Sequence, residues 1–298
     1  MIPPLIAFIT FNRLGLTATN LKALLDINED FELYIIDSNS TDGTQEYIES
    51  LVDPRIKLKK YFDVNRGTIY PINYGMSCRK PGQYFMHIEN DVHIHSNNFV
   101  SKFLDTMNNF PDLGILGAIR QDRFDQAINT KTLTNESYMY KNNSRYAKLS
   151  LFVGCFYCYR PELLDRIGYF NEENIFGDAE ICHRVNKYTK WHTGVLLPSD
   201  LSITQEQSRG CENCLLKDTC SLSMNRQKNC MSIYSSRRKV NGYLPIGRKK
   251  LNNYNEALRL KQRDVYCASI HDPESMKNHY YDKESALENF NYYIENSN

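Results

Sequence analysis

Residues 84–94, YFMHIENDVHI, join an apolar run to an abrupt polar end. The run predicts a buried strand, and Glu89, Asn90 and Asp91 follow directly where that strand ends. Open α/β sheets bind ligands at the carboxyl ends of their strands. Two acidic residues two positions apart at such an end can face one hard cation and leave coordination positions for phosphate oxygens. Because the same pattern is typical of a strand that simply reaches solvent, its interpretation depends on the rest of the chain.

Strands and helices are predicted to alternate on both sides of this stretch. Apolar runs predict strands at residues 5–10, 33–36, 56–62, 84–88, 113–118, 151–159 and 193–197, and helical spacing predicts helices at 16–25, 44–51, 99–110 and 161–167, with others through residue 73 and after residue 177. This alternation predicts an α/β fold, a mostly parallel, doubly wound sheet with helices on both faces. The polar residues 121–147 are predicted to form a long loop over the site.

Composition places few limits on function. The 298 residues carry a net charge of +1, so the chain as a whole does not indicate a polyanion partner. Residues 209–263, however, hold 13 Lys and Arg against 3 Asp and Glu, and this basic segment points to an anionic partner. The first residues lack a signal-peptide pattern, and no apolar run is long enough to span a membrane. We therefore expect a cytoplasmic protein whose nine cysteines serve as thiols or metal ligands rather than disulfides.

A polar turn follows the second predicted strand. It has the sequence DSNSTDGT over residues 37–44, and it contains Asp37, Asn39, Asp42 and Gly43. Asp and Asn side chains bond to nearby backbone in turns, and glycine permits a positive φ, so a purely structural role explains these residues when they are considered alone. The third predicted strand is followed by a further polar group, Asn65-Arg66-Gly67.

Five motifs occur in a fixed order along residues 3–200. They are Ile9-Thr10-Phe11-Asn12-Arg13, the turn 37–44, Asn65-Arg66-Gly67 with Asn73, Glu89-Asn90-Asp91, and Gly154 followed by Arg160, Gly168-Tyr169-Phe170-Asn171-Glu172 and Gly177-Asp178-Ala179-Glu180 with Arg184. This series resembles family-2 glycosyltransferases with the GT-A fold, a Rossmann-like α/β architecture. The turn 37–44 is the most specific element, and the ordered series is far more specific than any one motif.

The resemblance implies a nucleotide-sugar donor and a set of residues that bind it. Those residues are Thr10, Phe11, Asn12, Arg13, Asp37, Asn39, Asp42, Arg66, Asn73, Glu89, Asn90 and Asp91. Within that set, Asp37 would accept a hydrogen bond from the base and Arg66 would lie near the diphosphate. Asp91 would bind Mn²⁺ or Mg²⁺ directly, with Glu89 on the ribose or on metal-bound water.

The same resemblance implies one-step inversion by a carboxylate base. Asp178 would remove the proton of the acceptor hydroxyl, and Glu180 is the second candidate for that role. Asp178 could equally cap the helix that follows it. Glu89 replaces the first Asp of the family's D-x-D motif, and Gln205 falls near the position of a frequent metal-binding histidine. We therefore expect a weak metal site or one that depends on the nucleotide.

Four cysteines and a basic arm follow the predicted catalytic region. Cys211, Cys214, Cys220 and Cys230 fit a tetrahedral structural Zn²⁺ site, although an Fe–S cluster needs the same four thiolates. The arm carries Arg237-Arg238-Lys239, Arg248-Lys249-Lys250, Arg259, Lys261 and Arg263, interleaved with tyrosines. Such a run is often only a solvated surface, but it can also bind DNA phosphates or lie on an acidic membrane that presents a glycan acceptor.

The sequence thus predicts two domains and one reaction. Residues 1–205 form a catalytic GT-A domain, and residues 206–298 form a small basic module, held by its four-cysteine metal site, that selects the acceptor. The predicted activity is inverting transfer of a sugar, from UDP-sugar in preference to other donors, to a hydroxyl of a glycan, a lipid-linked glycan or a hydroxylated base in DNA. The alternative is a non-catalytic protein that binds a nucleotide sugar or nucleic acid.

Overall fold

The computed structural model describes residues 2–130, 133, 137–149, 156–205 and 243–296. Some of the predicted features lie outside these residues, namely Gly154, the four cysteines Cys211, Cys214, Cys220 and Cys230, and the basic group Arg237, Arg238 and Lys239. The Zn²⁺ or Fe–S site therefore stays a prediction. Within the part that is described, no helix is long and apolar enough to cross a membrane.

Strands and helices alternate as the hydrophobic pattern predicts. The strands are β1 (Leu5–Thr10), β2 (Glu32–Asp37), β3 (Ile56–Tyr61), β4 (Phe85–Glu89), β5 (Val92–Ile94), β6 (Leu113–Ala118), β7 (Tyr138–Lys141), β8 (Ser144–Lys148), β9 (Phe156–Tyr159), β10 (His192–Leu196) and β11 (Ile203–Gln205). The helices are α1 (Leu14–Leu25), α2 (Thr44–Ser50), α3 (Ile69–Ser77), α4 (Phe99–Asn109), α5 (Gln121–Asn129), α6 (Pro161–Ile167), α7 (Gly177–Tyr188), α8 (Tyr243–Arg259), α9 (Pro273–Asn278) and α10 (Lys283–Asn296).

Nine strands form one sheet in the order β3-β2-β1-β4-β9-β6-β10-β8-β7. The pairs β3–β2, β2–β1, β1–β4 and β6–β10 are parallel, and β4–β9, β9–β6, β10–β8 and β8–β7 are antiparallel. Only β8 and β9 therefore run against the other strands, which confirms the predicted mostly parallel sheet. β5 and β11 form a separate antiparallel pair that joins residues 203–205 to the stretch after Asp91.

Both faces of the sheet are covered by helices. Successive residues of a strand point to opposite faces, and β1 accordingly sends Ile6 and Phe8 into one apolar cluster and Leu5 and Ala7 into another. α1 and α4 pack into the first cluster, and α3, α6 and α7 pack into the second. The second face is the one that carries α7, the helix that begins at Gly177 and contains Asp178.

The prediction of a long loop over residues 121–147 is wrong. The segment contains α5 and the β7–β8 hairpin, which extends the sheet beyond β10. Phe124 of α5 packs with Ala147 and Val195 in a small apolar cluster, and these widely spaced apolar residues hold the segment in place. Asn142 and Asn143 connect the hairpin strands with φ values of 47° and 64°, a conformation that asparagine tolerates in two-residue turns.

The described C-terminal residues pack directly on the sheet domain. Glu172 is buried and accepts hydrogen bonds from the Ser269 hydroxyl (2.6 Å), the Tyr281 hydroxyl (2.6 Å) and the Ile270 backbone N–H (3.2 Å). Its backbone carbonyl accepts from Asn289 Nδ2 (2.9 Å). Residues 243–296 are thus fastened to the loop between α6 and α7, and the predicted division of the chain at residue 205 stays a prediction.

Candidate active site

The carboxyl ends of β1, β2 and β4 lie side by side because these strands are parallel neighbours. Thr10 pairs with Asp37 and Ile9 pairs with Glu89 in the strand register. The motifs that follow β1, β2 and β4 in the sequence therefore meet at one edge of the sheet. This edge is where an open α/β sheet binds its ligand.

The turn after β1 contains two consecutive residues in the left-handed region. Asn12 has a φ of 53° and Arg13 a φ of 64°, and a residue with a Cβ rarely adopts this conformation without support. The support comes from both sides, since Ser40 Oγ accepts from the Asn12 N–H (2.6 Å) and Asn12 Oδ1 accepts from the Thr41 N–H (2.9 Å). Backbone strain of this kind is characteristic of functional sites.

The polar turn 37–44 is organised by its two aspartates. Asp37 is fully buried, and its carboxylate accepts from the Ser40 N–H (2.8 Å), from the Ser40 hydroxyl and from Gln45 Nε2 (2.8 Å). Asp42 accepts from the Leu14 N–H (2.9 Å) at the start of α1. Both carboxylates therefore have structural partners, and their predicted role in donor binding stays a prediction.

Asn90 sits behind this edge in a buried polar network. Its Nδ2 donates to Thr10 Oγ1 (3.2 Å), to Thr17 Oγ1 (3.0 Å) and to the Asn12 carbonyl (3.0 Å), while its own carbonyl accepts from Asn20 Nδ2 (2.8 Å). Thr10 and Asn90 are both buried. They fix the relative positions of the turn after β1 and the acidic residues after β4.

Asp91 lies at the centre of a charged group. Arg13 Nη1 donates to Asp91 Oδ2 (3.0 Å), and Gln205 Nε2 donates to Asp91 Oδ1 (3.1 Å). Gln205 Oε1 in turn accepts from Arg120 Nη1 (3.4 Å), and Arg120 forms an ion pair with Asp122 (2.8 Å). The β5–β11 pair positions Gln205 here, because Gln205 is paired with Val92.

A cation at this edge would have few protein ligands. Among the described residues, no group of three or more His, Cys, Asp or Glu side chains could hold a metal ion. Glu89 and Asp91 supply oxygen donors, and Mg²⁺ in proteins is often bound by one or two carboxylates together with water and substrate phosphates. The donor set thus fits Mn²⁺ or Mg²⁺ held jointly with a diphosphate.

Asp178 lies on the same face of the sheet as Glu89. In β4 the alternation puts His87 and Glu89 on one face, and β9 pairs Tyr157 with His87. The Tyr157 hydroxyl donates to Asp178 Oδ2 (3.3 Å), and the rings of Tyr157 and His87 lie 4.9 Å apart. Burial raises the pKa of Tyr159, and the charges of Asp178 and Glu89 raise it further.

The surroundings of Asp178 suit a proton acceptor. Solvent reaches its side chain, yet the surrounding protein raises its pKa from 3.8 to about 6, and the Tyr157 hydrogen bond opposes that rise. Water at the carboxylate offsets part of the desolvation. A carboxylate with a pKa just below neutrality is mostly ionised at pH 7 and still holds a proton well.

Glu180, the second candidate base, is oriented into the interior. It is fully buried and forms a two-point ion pair with Arg184, with distances of 2.5 and 3.0 Å. A carboxylate in this position cannot contact an acceptor hydroxyl without breaking a buried ion pair. The geometry therefore favours Asp178 over Glu180.

The remaining predicted donor residues are dispersed around the edge. Asn73 is fully buried and bonds to Glu172 Oε1 (2.8 Å) and to the Phe170 backbone. Arg66 pairs with Asp63 (3.1 Å) and lies over the Tyr70 ring. Phe11 and Asn39 are half-buried, and Asn39 has a φ of 70°.

Tyr157 is a site residue that the sequence motifs do not indicate. It lies in β9, within a stretch that the sequence predicts as a buried apolar strand, and its hydroxyl donates to Asp178. The alternation of Tyr157 and Tyr159 with Phe156 and Cys158 was the available signal, since it puts both hydroxyl-bearing rings on one face.

Comparisons with known proteins agree with this architecture. A family model described as glycosyl transferase family 2 matches residues 6–168, which is more than half of the chain. No curated protein matches the chain in sequence. The mannosyltransferase PcManGT from Pyrobaculum calidifontis, in complex with GDP-Man and Mn²⁺, is similar with a TM-score of 0.53 and 16% identity, over 70% of this chain and 59% of that chain.

Two further solved structures are similar at comparable levels. GalNAc-T7 with UDP, GalNAc and Mn²⁺ has a TM-score of 0.51 and 9% identity, over 69% of this chain and 44% of that chain. TarS from S. aureus, residues 1–349, has a TM-score of 0.48 and 16% identity, over 65% of this chain and 58% of that chain. The chain thus spans less than two thirds of each of these proteins, and the expected GT-A type fold is confirmed.

Proposed function

This chain belongs to glycosyl transferase family 2, and from that membership we propose that it is an inverting glycosyltransferase. It moves a sugar from a nucleoside-diphosphate sugar to an acceptor hydroxyl. The observation that carries the proposal is the position of Asp178, an accessible carboxylate with a pKa raised to about 6 on the same face of the sheet as Glu89. The proposed donor is a UDP-sugar, in agreement with the expectation from the sequence.

The transfer is a single displacement at the anomeric carbon. The acceptor oxygen forms a bond to that carbon while the bond to the diphosphate breaks and the nucleoside diphosphate leaves with the bonding electrons. Asp178 takes the proton of the acceptor hydroxyl, and Tyr157 orients the carboxylate through its hydrogen bond. Because attack and departure occur on opposite sides of the carbon, the configuration inverts.

Charge accumulates on the departing diphosphate, and this chain's residues compensate it. A divalent cation bound there supplies a positive charge to the diphosphate oxygens. Asp91 and Glu89 would hold it, and Arg13 and Arg66 are the arginines that the family pattern associates with the donor. Asn39 would border the base, and the fully buried Asp37 would hold the turn 37–44 that carries Asn39.

The outer face of α8 favours an anionic acceptor. Pro245, Arg248, Lys249, Asn252 and Asn253 line a cavity of about 460 Å³. On the opposite face Gly247 packs so closely against Ile175 that a Cβ would lie 2.9 Å from Ile175 Cγ1, and Ile175 precedes Asp178 by three positions. The basic face therefore belongs to a helix that contacts the loop leading to the proposed base, and phosphates or carboxylates of an acceptor would be attracted to it.

The test of the reaction is Asp178→Asn. With a panel of nucleotide sugars, we expect sugar transfer and donor hydrolysis to fall about 10²–10⁴-fold, because a general base is lost. Nucleotide binding by calorimetry should not change. Asp125→Asn on the exposed surface of α5 is the matched control. A wild-type protein that binds nucleotide sugars but releases no sugar with any acceptor would instead support the non-catalytic alternative.

The test of the acceptor class is a salt titration. Binding to duplex DNA that weakens steeply as salt rises, and that Arg248→Ala with Lys249→Ala reduces, would support DNA. A flat salt response excludes nucleic acid and leaves a glycan or lipid-linked glycan. Lys22→Ala with Lys277→Ala, two exposed lysines outside the basic arm, is the control pair.

A further inference from the structure

The ion pair between Arg13 and Asp91 engages the carboxylate to which the proposed function assigns a cation. Arg13 Nη1 contacts Asp91 Oδ2 at 3.0 Å, and Gln205 Nε2 contacts Oδ1 at 3.1 Å. The Arg13 side chain is 17% exposed and the Asp91 side chain 6% exposed. Both oxygens of Asp91 therefore already accept a hydrogen bond in a setting that is largely shielded from water.

The backbone that aims Arg13 at Asp91 is held in place. Asn12 and Arg13 both have positive φ values, a strained conformation that persists only where the surrounding structure imposes it. Ser40, Thr41 and the Asn90 side chain each bond to Asn12, at 2.6, 2.9 and 3.0 Å. For its guanidinium to leave Asp91, the Arg13 side chain must therefore rotate while the backbone stays in place.

The charges near Asp91 determine when movement of the Arg13 guanidinium away from this carboxylate is favourable. A guanidinium and a divalent cation on one shielded carboxylate repel each other, so Arg13 opposes cation binding while it pairs with Asp91. Removing Arg13 from Asp91 without replacement is also unfavourable, because a shielded carboxylate would lose its partner. A diphosphate bound together with the cation removes both difficulties. Arginine binds phosphate oxygens in a two-point geometry, so Arg13 gains a new partner while the cation becomes the partner of Asp91.

We propose that Arg13 exchanges partners on donor binding, pairing with Asp91 in the free protein and with the diphosphate when nucleotide and cation are both bound. This inference rests on the proposed function and adds to it that the two ligands bind interdependently. Thermodynamic linkage requires the coupling to be reciprocal, so the cation strengthens nucleotide binding by the factor by which the nucleotide strengthens cation binding. Gln205 stays on Asp91 through the exchange.

The experiment measures Mn²⁺ binding by electron paramagnetic resonance of the free ion, with and without UDP or GDP. In the wild-type protein we expect either nucleotide to tighten Mn²⁺ binding by about 5–150-fold, the usual range of such coupling. In Arg13→Met, Mn²⁺ alone should bind at least about 5-fold tighter than in the wild type, and the coupling should shrink. If Arg13→Met does not fold, Arg13→Gln replaces it, because glutamine keeps a hydrogen-bond donor for Asp91 without the charge. We expect the same tighter Mn²⁺ binding and the same smaller coupling in Arg13→Gln.

Two controls make the result specific. Arg13→Lys keeps the positive charge without the two-point geometry, so the coupling should be larger than in Arg13→Met and smaller than in the wild type. Arg79→Met removes an arginine–aspartate pair with Asp165 near the amino-terminal edge of the sheet and should bind Mn²⁺ as the wild type does. Mn²⁺ binding that is indifferent to nucleotide, or unchanged in both neutral Arg13 variants, overturns the exchange. Failure of UDP and GDP to bind at any Mn²⁺ concentration overturns the proposed function instead.

Discussion

At the scale of single residues, the hydrogen bond from Tyr157 lowers the pKa of Asp178 and so opposes the rise that burial causes. The pKa of Asp178 is about 6 because burial raises it more than the Tyr157 hydroxyl lowers it. The base is ionised above that pH, so kcat/KM of the wild type should fall as the pH drops through about 6. Tyr157→Phe removes the contribution that lowers the pKa, and the acid limb should move to higher pH in a pH–rate profile.

Tyr159→Phe is the matched control for this prediction. Tyr159 lies on the same face of β9, but its hydroxyl contacts His87 Nδ1 at 3.2 Å rather than Asp178. Its removal should leave the acid limb in place. An acid limb that moves to lower pH in Tyr157→Phe, or that moves equally in both variants, would show that the hydroxyl does not act on Asp178.

At the scale of elements, the Asn65-Arg66-Gly67 turn is shaped by the helix that covers it. Gly67 has a φ of +84°, and a Cβ there would lie 2.5 Å from the Tyr293 ring of α10. Gly67→Ala therefore adds overpacking of about 1–3 kcal/mol to the cost of a left-handed alanine. We expect a large drop in the free energy of unfolding, measured by urea titration.

Gly82→Ala isolates the backbone contribution. Gly82 has a φ of +72°, but nothing lies within 4 Å of the added Cβ, so its loss of stability should be clearly smaller. In a double-mutant cycle, Tyr293→Ala should reduce the extra cost of Gly67→Ala. Equal losses at both glycines would show that α10 does not press on the turn.

Local patterns were sufficient to predict most elements and the polar edge of the sheet. Apolar runs identify β1, β2, β4 and β6. Because β1, β2 and β4 are parallel neighbours, the polar residues that follow these three strands meet at one edge of the sheet. The local spacing of Asp178 and Glu180 does not reveal which one faces solvent, because that depends on Arg184 being surrounded by acceptors from distant segments. The apolar pattern does not predict the β7–β8 hairpin because its apolar residues are few. The Asn142-Asn143 pair, which is typical of a two-residue turn, is the one local indication of it.

At the scale of the whole molecule, an ion pair joins the segment after α8 to the loop between α6 and α7. Arg263 pairs with Glu173 (2.6 Å), and both side chains are about 15% exposed. Arg263→Met leaves Glu173 without its partner in a shielded position and should cost ~2–4 kcal/mol, less than for a fully buried pair. Thermal unfolding should show a clearly lower Tm.

Arg259→Met is the control, since Arg259 and Glu256 form an exposed pair within α8. Surface pairs of this kind contribute little, and its Tm should equal that of the wild type. Equal Tm values for the two variants would indicate that residues 243–296 are not fastened through Arg263. The sequence could not predict this attachment, because Arg263 and Glu173 are 90 positions apart and Arg263 appears locally as part of one more basic run.

Arg184 makes part of this attachment depend on residues that are synthesised late. Its guanidinium donates to the carbonyls of Ile167 and Tyr169 and to that of Val265, while it also holds Glu180 in the helix that carries Asp178. A nascent chain released from the ribosome only as far as residue 250 would lack the last of these acceptors. The helix that carries the proposed base would therefore gain this attachment only after the strands of the sheet have been synthesised.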